Sequence, residues 1–220
     1  MGKLIVIEGI DGSGKSTQFK LLCDRLSAQG HQFKRLVFPR YDEPSSALIK
    51  MYLGGDFGND PDSVNAYAAS SFFAVDRYAS YIQDWRDYYE TGGIILTDRY
   101  TTSNALHQGV KISSEQREHF FMWLYDYEFN LLGMPAPDMV VYMDVAAEIS
   151  TKRLRQRQAQ TDIGADIHEN DVAYLKDCAK IGKQAAALHG WLLINCVSNG
   201  KERSIDDIHI EIYNRVIGLL

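Results

Sequence analysis

"GIDGSGKS", Gly9 to Ser16, follows the apolar run "LIVIEG" and opens onto a stretch with helical period. Gly9, Gly14, Lys15 and Ser16 satisfy G-x-x-x-x-G-K-[ST], the loop whose consecutive backbone N–H groups turn inward around a phosphate. Each residue type has a chemical reason. Glycines let the backbone approach, the helix N-terminus adds positive potential, the lysine reaches the β- and γ-oxygens, and the serine hydroxyl ligates Mg²⁺. With glycine at roughly 7% of residues, a chance match in a chain this long arises about once in a hundred. The strand before and helix after make it rarer. Gly9, Ile10, Asp11, Gly12, Ser13, Gly14, Lys15, Ser16 and Thr17 are therefore read as a triphosphate loop.

A strand feeding such a loop calls for a parallel sheet, and the rest of the chain agrees. The runs "KRLVF" (34–38), "GIILTD" (93–98), "DMVVYMDV" (138–145) and "WLLINC" (191–196) join "LIVIEG" (4–9) and alternate with longer helical patterns. That is the signature of crossover units. The expected fold class is α/β: a P-loop NTPase three-layer sandwich, its five-stranded parallel sheet flanked by helices, in one domain over 1–220. Helices are expected over Lys15 to Ala28, from Asp60-Pro61 to about Thr91, and over about Glu115 to Leu132 before Gly133 and Pro135. The aromatics from Tyr67 to Tyr89 exceed one amphipathic stripe, which leaves two readings open: a central core helix, or a face for a second subunit.

Composition narrows the partners. The chain has 220 residues, 45% hydrophobic and 24% charged, enough for one sizeable core. A net charge of -6 argues against a binder of nucleic acid polymers or anionic membranes. No stretch approaches the ~18 apolar residues of a spanning helix, and the first apolar run is too short for a signal-peptide core. Cys23, Cys178 and Cys196 lack disulfide or metal spacing and read as free thiols, so a soluble, cytoplasmic protein is expected.

A phosphate loop alone serves switches, motors and phosphotransferases. The guanine motif N-K-x-D is absent, and the only D-x-x-G is Asp11 to Gly14, inside the loop, which removes the GTPase switches. A motor would need more modules than this length holds. A small-molecule kinase must gather cations around a second anionic substrate, and "GIILTDRY" supplies them. Asp98, Arg99 and Tyr100 fall at the carboxyl edge of the sheet, where ligands of open α/β folds bind. Asp98 can hold Mg²⁺ through water, and Arg99 can fork onto a phosphate. Further on, "TKRLRQRQ" (151–158) carries Lys152, Arg153, Arg155 and Arg157, and a polar stretch follows. A basic lid over about 152–170 is expected; a solvated helix face is the plainer alternative.

Taken in order, "IEGIDGSGKST", "FPR", "FFAVDR", "DRY", "HQG", "PDMVVYMDV" and "KRLRQR" resemble the thymidylate kinase family of nucleoside monophosphate kinases over nearly the whole chain. The resemblance implies transfer of the γ-phosphoryl of ATP to dTMP, giving dTDP and ADP, with Mg²⁺ and a homodimer. It implies that Phe73 stacks on thymine, that Arg77 one helical turn later bonds its edge, and that Gln108 reads the pyrimidine. Asp11 would lie near the sugar and acceptor phosphate, which Arg99 and Arg40 would hold. The family often reads F-P-x-R, so Arg40 stands one position early. His107 takes the place of an aromatic that lies against the deoxyribose. Gly12 fills a slot where some members carry an arginine, so the catalytic arginine would come from the lid, with Arg153, Arg155 and Arg157 unranked. Adenine contacts are expected from backbone around Asn195 to Asn199. Two rivals remain: a deoxynucleoside kinase, which needs a carboxylate base for which Asp11 is the one candidate, and a nucleotide-dependent regulatory module.

Overall fold

The computed structural model describes residues 1–58, 60–158, 172–198 and 200–220, with 61, 157 and 158 described by backbone alone. Five strands, β1 (Lys3–Glu8), β2 (Phe33–Val37), β3 (Ile94–Asp98), β4 (Met139–Asp144) and β5 (Leu192–Asn195), form one sheet in the order β2-β3-β1-β4-β5. Every neighbouring pair is parallel. Strand β1 lies at the centre, and Leu4, Ile5, Val6 and Ile7 are wholly buried because helices cover both faces. That is why "LIVI" is an unbroken apolar run and not an alternating one. A short antiparallel hairpin, β6 (Val197–Ser198) and β7 (Lys201–Glu202), hangs beyond β5.

The helices are α1 (Lys15–Ala28), α2 (Ala47–Leu53), α3 (Ala66–Ser80), α4 (Arg86–Glu90), α5 (Thr101–His107), α6 (Arg117–Tyr125), α7 (Ala147–Gln158), α8 (Val172–His189) and α9 (Ile205–Ile217). Helices α1 and α9 pack together in one layer, and α5 packs against α3, α6 and α8 in the other. A continuous apolar core runs through both interfaces with the sheet. Among the described residues, no helix is long and apolar enough to cross a membrane.

The helix expected over 60–91 is divided. Asp60 accepts from the Asp62 amide and caps only a short turn at Pro61–Ser63; Asn65 accepts from the Ala68 amide and starts α3. A π-helical turn, Tyr81–Trp85, separates α3 from α4 and seats Trp85 fully in the core between Tyr81 and Tyr89. The aromatic surplus therefore serves the core in part. On the outer face Tyr67, Val75, Tyr78 and Ile82 form a stripe between 39% and 48% exposed, Tyr67 also packing edge-on against Phe120 and Trp123. Likewise α6 continues as a π-helical turn, Asp126–Leu131.

Candidate active site

The loop after β1 closes around glycines in backbone conformations that side chains resist. Gly12 has φ +76° and Gly14, which caps α1, has φ +93°. A Cβ at Gly12 would also come within 2.4 Å of the Ser150 carbonyl, because α7 lies directly over the loop. Lys15 is 6% exposed and folds back, its Nζ donating to the Ile10 carbonyl at 3.4 Å and to Asp11 Oδ1 at 3.3 Å. Ser16 Oγ donates to Asp98 Oδ2 at 2.8 Å. The other oxygen, Asp98 Oδ1, is buried with no hydrogen-bond partner among the described residues. An acceptor left bare beside the loop serine fits a divalent cation.

Arg99 sits where the loop meets the next cavity. Its backbone is left-handed (φ 70°), held by the Arg99 amide donating to the Ile7 carbonyl at 3.1 Å and by Thr97 Oγ1 donating to the Arg99 carbonyl at 2.7 Å. Its guanidinium bonds Asp11 through Nη2 and reaches Ser103 Oγ (3.4 Å) and His107 Nε2 (3.2 Å) through Nη1. Buried Glu8 stands 4.0 Å away and accepts from the Gly9 amide and from the Thr102 and Ser103 hydroxyls. Burial pushes the Asp11 carboxyl up, but Arg99 and Lys15 outweigh it and hold Asp11 well below the ordinary carboxylate range. Burial likewise opposes charge on Arg99, and Asp11 with Glu8 more than restores it.

Since the Arg99 guanidinium can only donate, His107 Nε2 accepts, and the imidazole proton sits on Nδ1. That nitrogen faces the Tyr174 hydroxyl at 3.2 Å, and Tyr174 donates to the His107 carbonyl at 3.2 Å. Helix α8 is thus tied to the same cluster.

Beyond Arg99 opens a cavity of about 280 Å³. Helix α3 lines it with Phe73 and Arg77, one turn apart; α5 adds Ser103, Asn104 and His107, with Gln108 just past its end; Val37, Phe38, Tyr41 and Leu53 supply an apolar flank. The Phe73 ring is buttressed edge-on by Tyr52 at 6.3 Å. Arg77 is 2% exposed and forks onto Glu128. Gln108 Oε1 is buried with no hydrogen-bond partner among the described residues. Tyr100 also lines the cavity, although its hydroxyl turns away to the Pro135 carbonyl at 3.1 Å, and burial raises its pKa far above the ordinary value.

Many of the residues singled out from sequence lie here; Arg40 and Arg155 do not. Arg40 does not line the cavity. Its guanidinium donates to Asp76 (3.3 Å), to Asp84 (2.5 Å) and to Ser45 Oγ (3.1 Å), so two carboxylates hold it against α3 and the π turn. Its neighbour Tyr41 faces the cavity instead. Of the basic run, Arg153 donates to the Gly12 carbonyl (3.4 Å) and the Ser13 carbonyl (2.9 Å), and to Glu202 (2.6 Å). Arg155 lines a separate groove with Glu148, Thr151, Lys152, Gln156 and Val172. The side chain of Arg157, and residues 159–170 of the expected lid, lie outside the described residues. So does Asn199; the Asn195 carbonyl accepts from Arg203 at 2.8 Å.

Sequence reasoning passed over Glu8, Tyr41, Ser103, Asn104 and Glu128. Asn104 shares a helix face with His107 and Gln108, a spacing that was available as a signal. Glu128 lies 51 residues from Arg77, and nothing in the sequence joins them.

A phosphate loop with a second, arginine-bearing cavity beside it on one sheet edge makes the chain a P-loop kinase of small molecules. It belongs to the thymidylate kinase family, whose model matches residues 7–208. It is 34% identical to the thymidylate kinase of Mycobacterium tuberculosis over 191 residues, covering 86% of this chain and 87% of that one. With the thymidylate kinase of Plasmodium falciparum it shares 28% identity over 215 residues, 98% of this chain and 90% of that one. The solved thymidylate kinase of Candida albicans superposes with a TM-score of 0.71 at 21% identity, over 99% of this chain and 92% of that one, which supports the fold.

Proposed function

We propose that the chain transfers the γ-phosphoryl group of ATP to dTMP, giving dTDP and ADP, with ATP on the Gly9 to Thr17 loop and dTMP in the cavity between α3 and α5. The observation that carries this reading is Arg99, wedged between Asp11 of the loop and the mouth of the cavity, where two phosphate tails would meet. An oxygen of the dTMP phosphate attacks the γ-phosphorus, and the bond to the ADP oxygen breaks. With a second pKa near 6, that phosphate is mostly dianionic at neutral pH and needs no base. Asp11 is paired with two cations and resists protonation, so it suits a positioning carboxylate better than the base of a deoxynucleoside kinase.

Lys15 and Arg153 take up charge on the transferring group, and Arg99 aligns the acceptor. Ser16 and Asp98 would hold Mg²⁺, which when bound neutralises charge on the β- and γ-oxygens. Phe73 stacks on thymine, Arg77 donates to its edge, and the bare Gln108 Oε1 offers an acceptor. His107 faces the sugar. Arg40 braces the wall rather than gripping phosphate. The exposed stripe of Tyr67, Val75, Tyr78 and Ile82 supports a homodimer, and three buried free cysteines suit a reducing, cytoplasmic setting. The test is ADP release with ATP, Mg²⁺ and, in turn, dTMP, dUMP, dCMP, UMP and thymidine. Turnover is expected to be fastest with dTMP and absent with thymidine; phosphorylation of thymidine, or ADP release indifferent to acceptor, overturns the reading.

A further inference from the structure

Glu128 lies on the π-helical turn Asp126–Leu131, is wholly buried, and does not line the cavity. It nevertheless collects donors from the elements that do. Arg77 donates to it twice, Nε to Oε2 at 2.7 Å and Nη2 to Oε1 at 2.5 Å. Thr101 Oγ1 donates to Oε2 at 2.7 Å, and Asn104 Nδ2 reaches Oε1 at 3.5 Å. A carboxylate offers about four lone-pair directions, and here all are taken.

Two orientations follow. Arg77 spends its Nε and Nη2 on Glu128, so Nη1, which only donates, is the end left for the cavity. The Asn104 amide nitrogen is held between Glu128 and the Ser70 carbonyl, to which it donates at 3.1 Å. Turning that amide over would set Oδ1 against two acceptors. Its oxygen is therefore the atom available to the cavity that Asn104 lines.

We infer that Glu128 determines base specificity without touching the base, by fixing Arg77 as donor and Asn104 as acceptor toward the cavity. This rests on the placement of the base beside Arg77 proposed above. A 4-keto pyrimidine presents an acceptor at O4 and a donor at N3–H and matches that pair. A 4-amino pyrimidine presents a donor at N4 and an acceptor at N3, the reverse at both positions. Each mismatch leaves a buried polar group unpaired, which is how hydrogen-bonding sites reject close analogues. Glu128 is thus a positioning and specificity residue.

Glu128→Gln replaces one acceptor oxygen with a donor, so Arg77 loses half its fork and Asn104 can turn over. Steady-state kinetics with dTMP and dCMP should then show the KM for dTMP raised about tenfold or more, with a smaller fall in kcat, and the dTMP-to-dCMP ratio of kcat/KM reduced at least tenfold. In an Arg77→Ala background the same change should add little to the KM effect, since the two act as one unit. A generalised loss of folding would instead lower kcat for both nucleotides and leave the ratio intact. If Glu128→Gln yields no soluble protein, Glu128→Asp, which withdraws the carboxylate by one methylene, is read the same way and should also reduce the ratio. An unchanged ratio in the variant that folds, with Arg77→Ala impaired, overturns the inference alone. An unchanged KM for dTMP in Arg77→Ala removes the base placement and the inference together.

Discussion

Asp11 of the phosphate loop and Arg99 at the end of β3 are bonded directly, Oδ1 to Nη2, across the join between the two nucleotide sites. Arg99 touches both sides of that join: its other terminal nitrogen faces Ser103 and His107 on α5. A strained, left-handed backbone fixes where the guanidinium leaves the strand. The contact pre-sets the acceptor site from the donor site.

Arg99→Lys tests this use of a planar fork. An ammonium cannot bond Asp11, Ser103 and a phosphate in one plane, so kcat/KM for dTMP should fall about a hundredfold. Steady-state kinetics alongside thermal melting check it. A lysine enzyme with near-normal turnover would show that charge alone suffices.

Gly12 tests the packing of α7 on the loop. Its φ of +76° and the 2.4 Å approach of the Ser150 carbonyl leave no room for a methyl group. Gly12→Ala should cost about 2 kcal/mol or more in denaturant unfolding, and turnover should drop because Arg153 reaches the Gly12 carbonyl. Unchanged unfolding midpoints would mean that α7 lifts away freely.

Two arginines of the basic run differ in what they reach. Arg153 bonds the loop carbonyls, whereas Arg155 lines another groove. Arg153→Ala is expected to lower kcat about a hundredfold or more with little change in the KM for ATP, and Arg155→Ala to leave kcat within about threefold. The reverse pattern would move the catalytic role to Arg155.

The pH profile should belong to the substrate. The folded pKa of Asp11 is depressed, so its stabilising charge is present above about pH 4 and is lost only as pH falls through that lowered value. It contributes no limb near neutrality. The acid limb of kcat/KM for dTMP should instead lie near pH 6, where the free dTMP phosphate loses its second charge. A limb near pH 4, or a second one near neutrality that dTMP cannot explain, would point to a protein base.

Acid should weaken the fold through His189. Its ring stacks on Tyr125 at 3.8 Å and 4°, and burial lowers its pKa. Below about pH 6.5 the unfolded chain binds the proton more readily than the folded one, so stability falls as pH falls. His189→Phe should flatten the change in Tm between pH 7 and pH 5 relative to the native chain. Parallel curves would remove His189 from the account.

What was legible in the sequence was local or buried on both faces. The phosphate loop is contiguous, β1 is apolar throughout because both of its faces are covered, and Phe73 and Arg77 lie one turn apart on α3. What escaped depends on distant partners. Arg40 was expected to hold phosphate, and its bonds to Asp76 on α3 and Asp84 on the π turn had no sign in the sequence. Glu128 was invisible for the same reason, sitting in a π turn that no hydrophobic period announces. The division of the 60–91 helix had a visible cue in Pro61, but Asn65 took the cap that Asp60 was expected to supply.

The central claim is that two nucleotides meet tail to tail at Arg99. A bisubstrate analogue, adenosine and thymidine joined 5′ to 5′ through a polyphosphate bridge, measures it most directly. The account predicts competition with both ATP and dTMP, and weakened binding in Lys15→Ala and in Arg77→Ala alike. Competition with only one of the two nucleotides, or binding indifferent to either replacement, would contradict it.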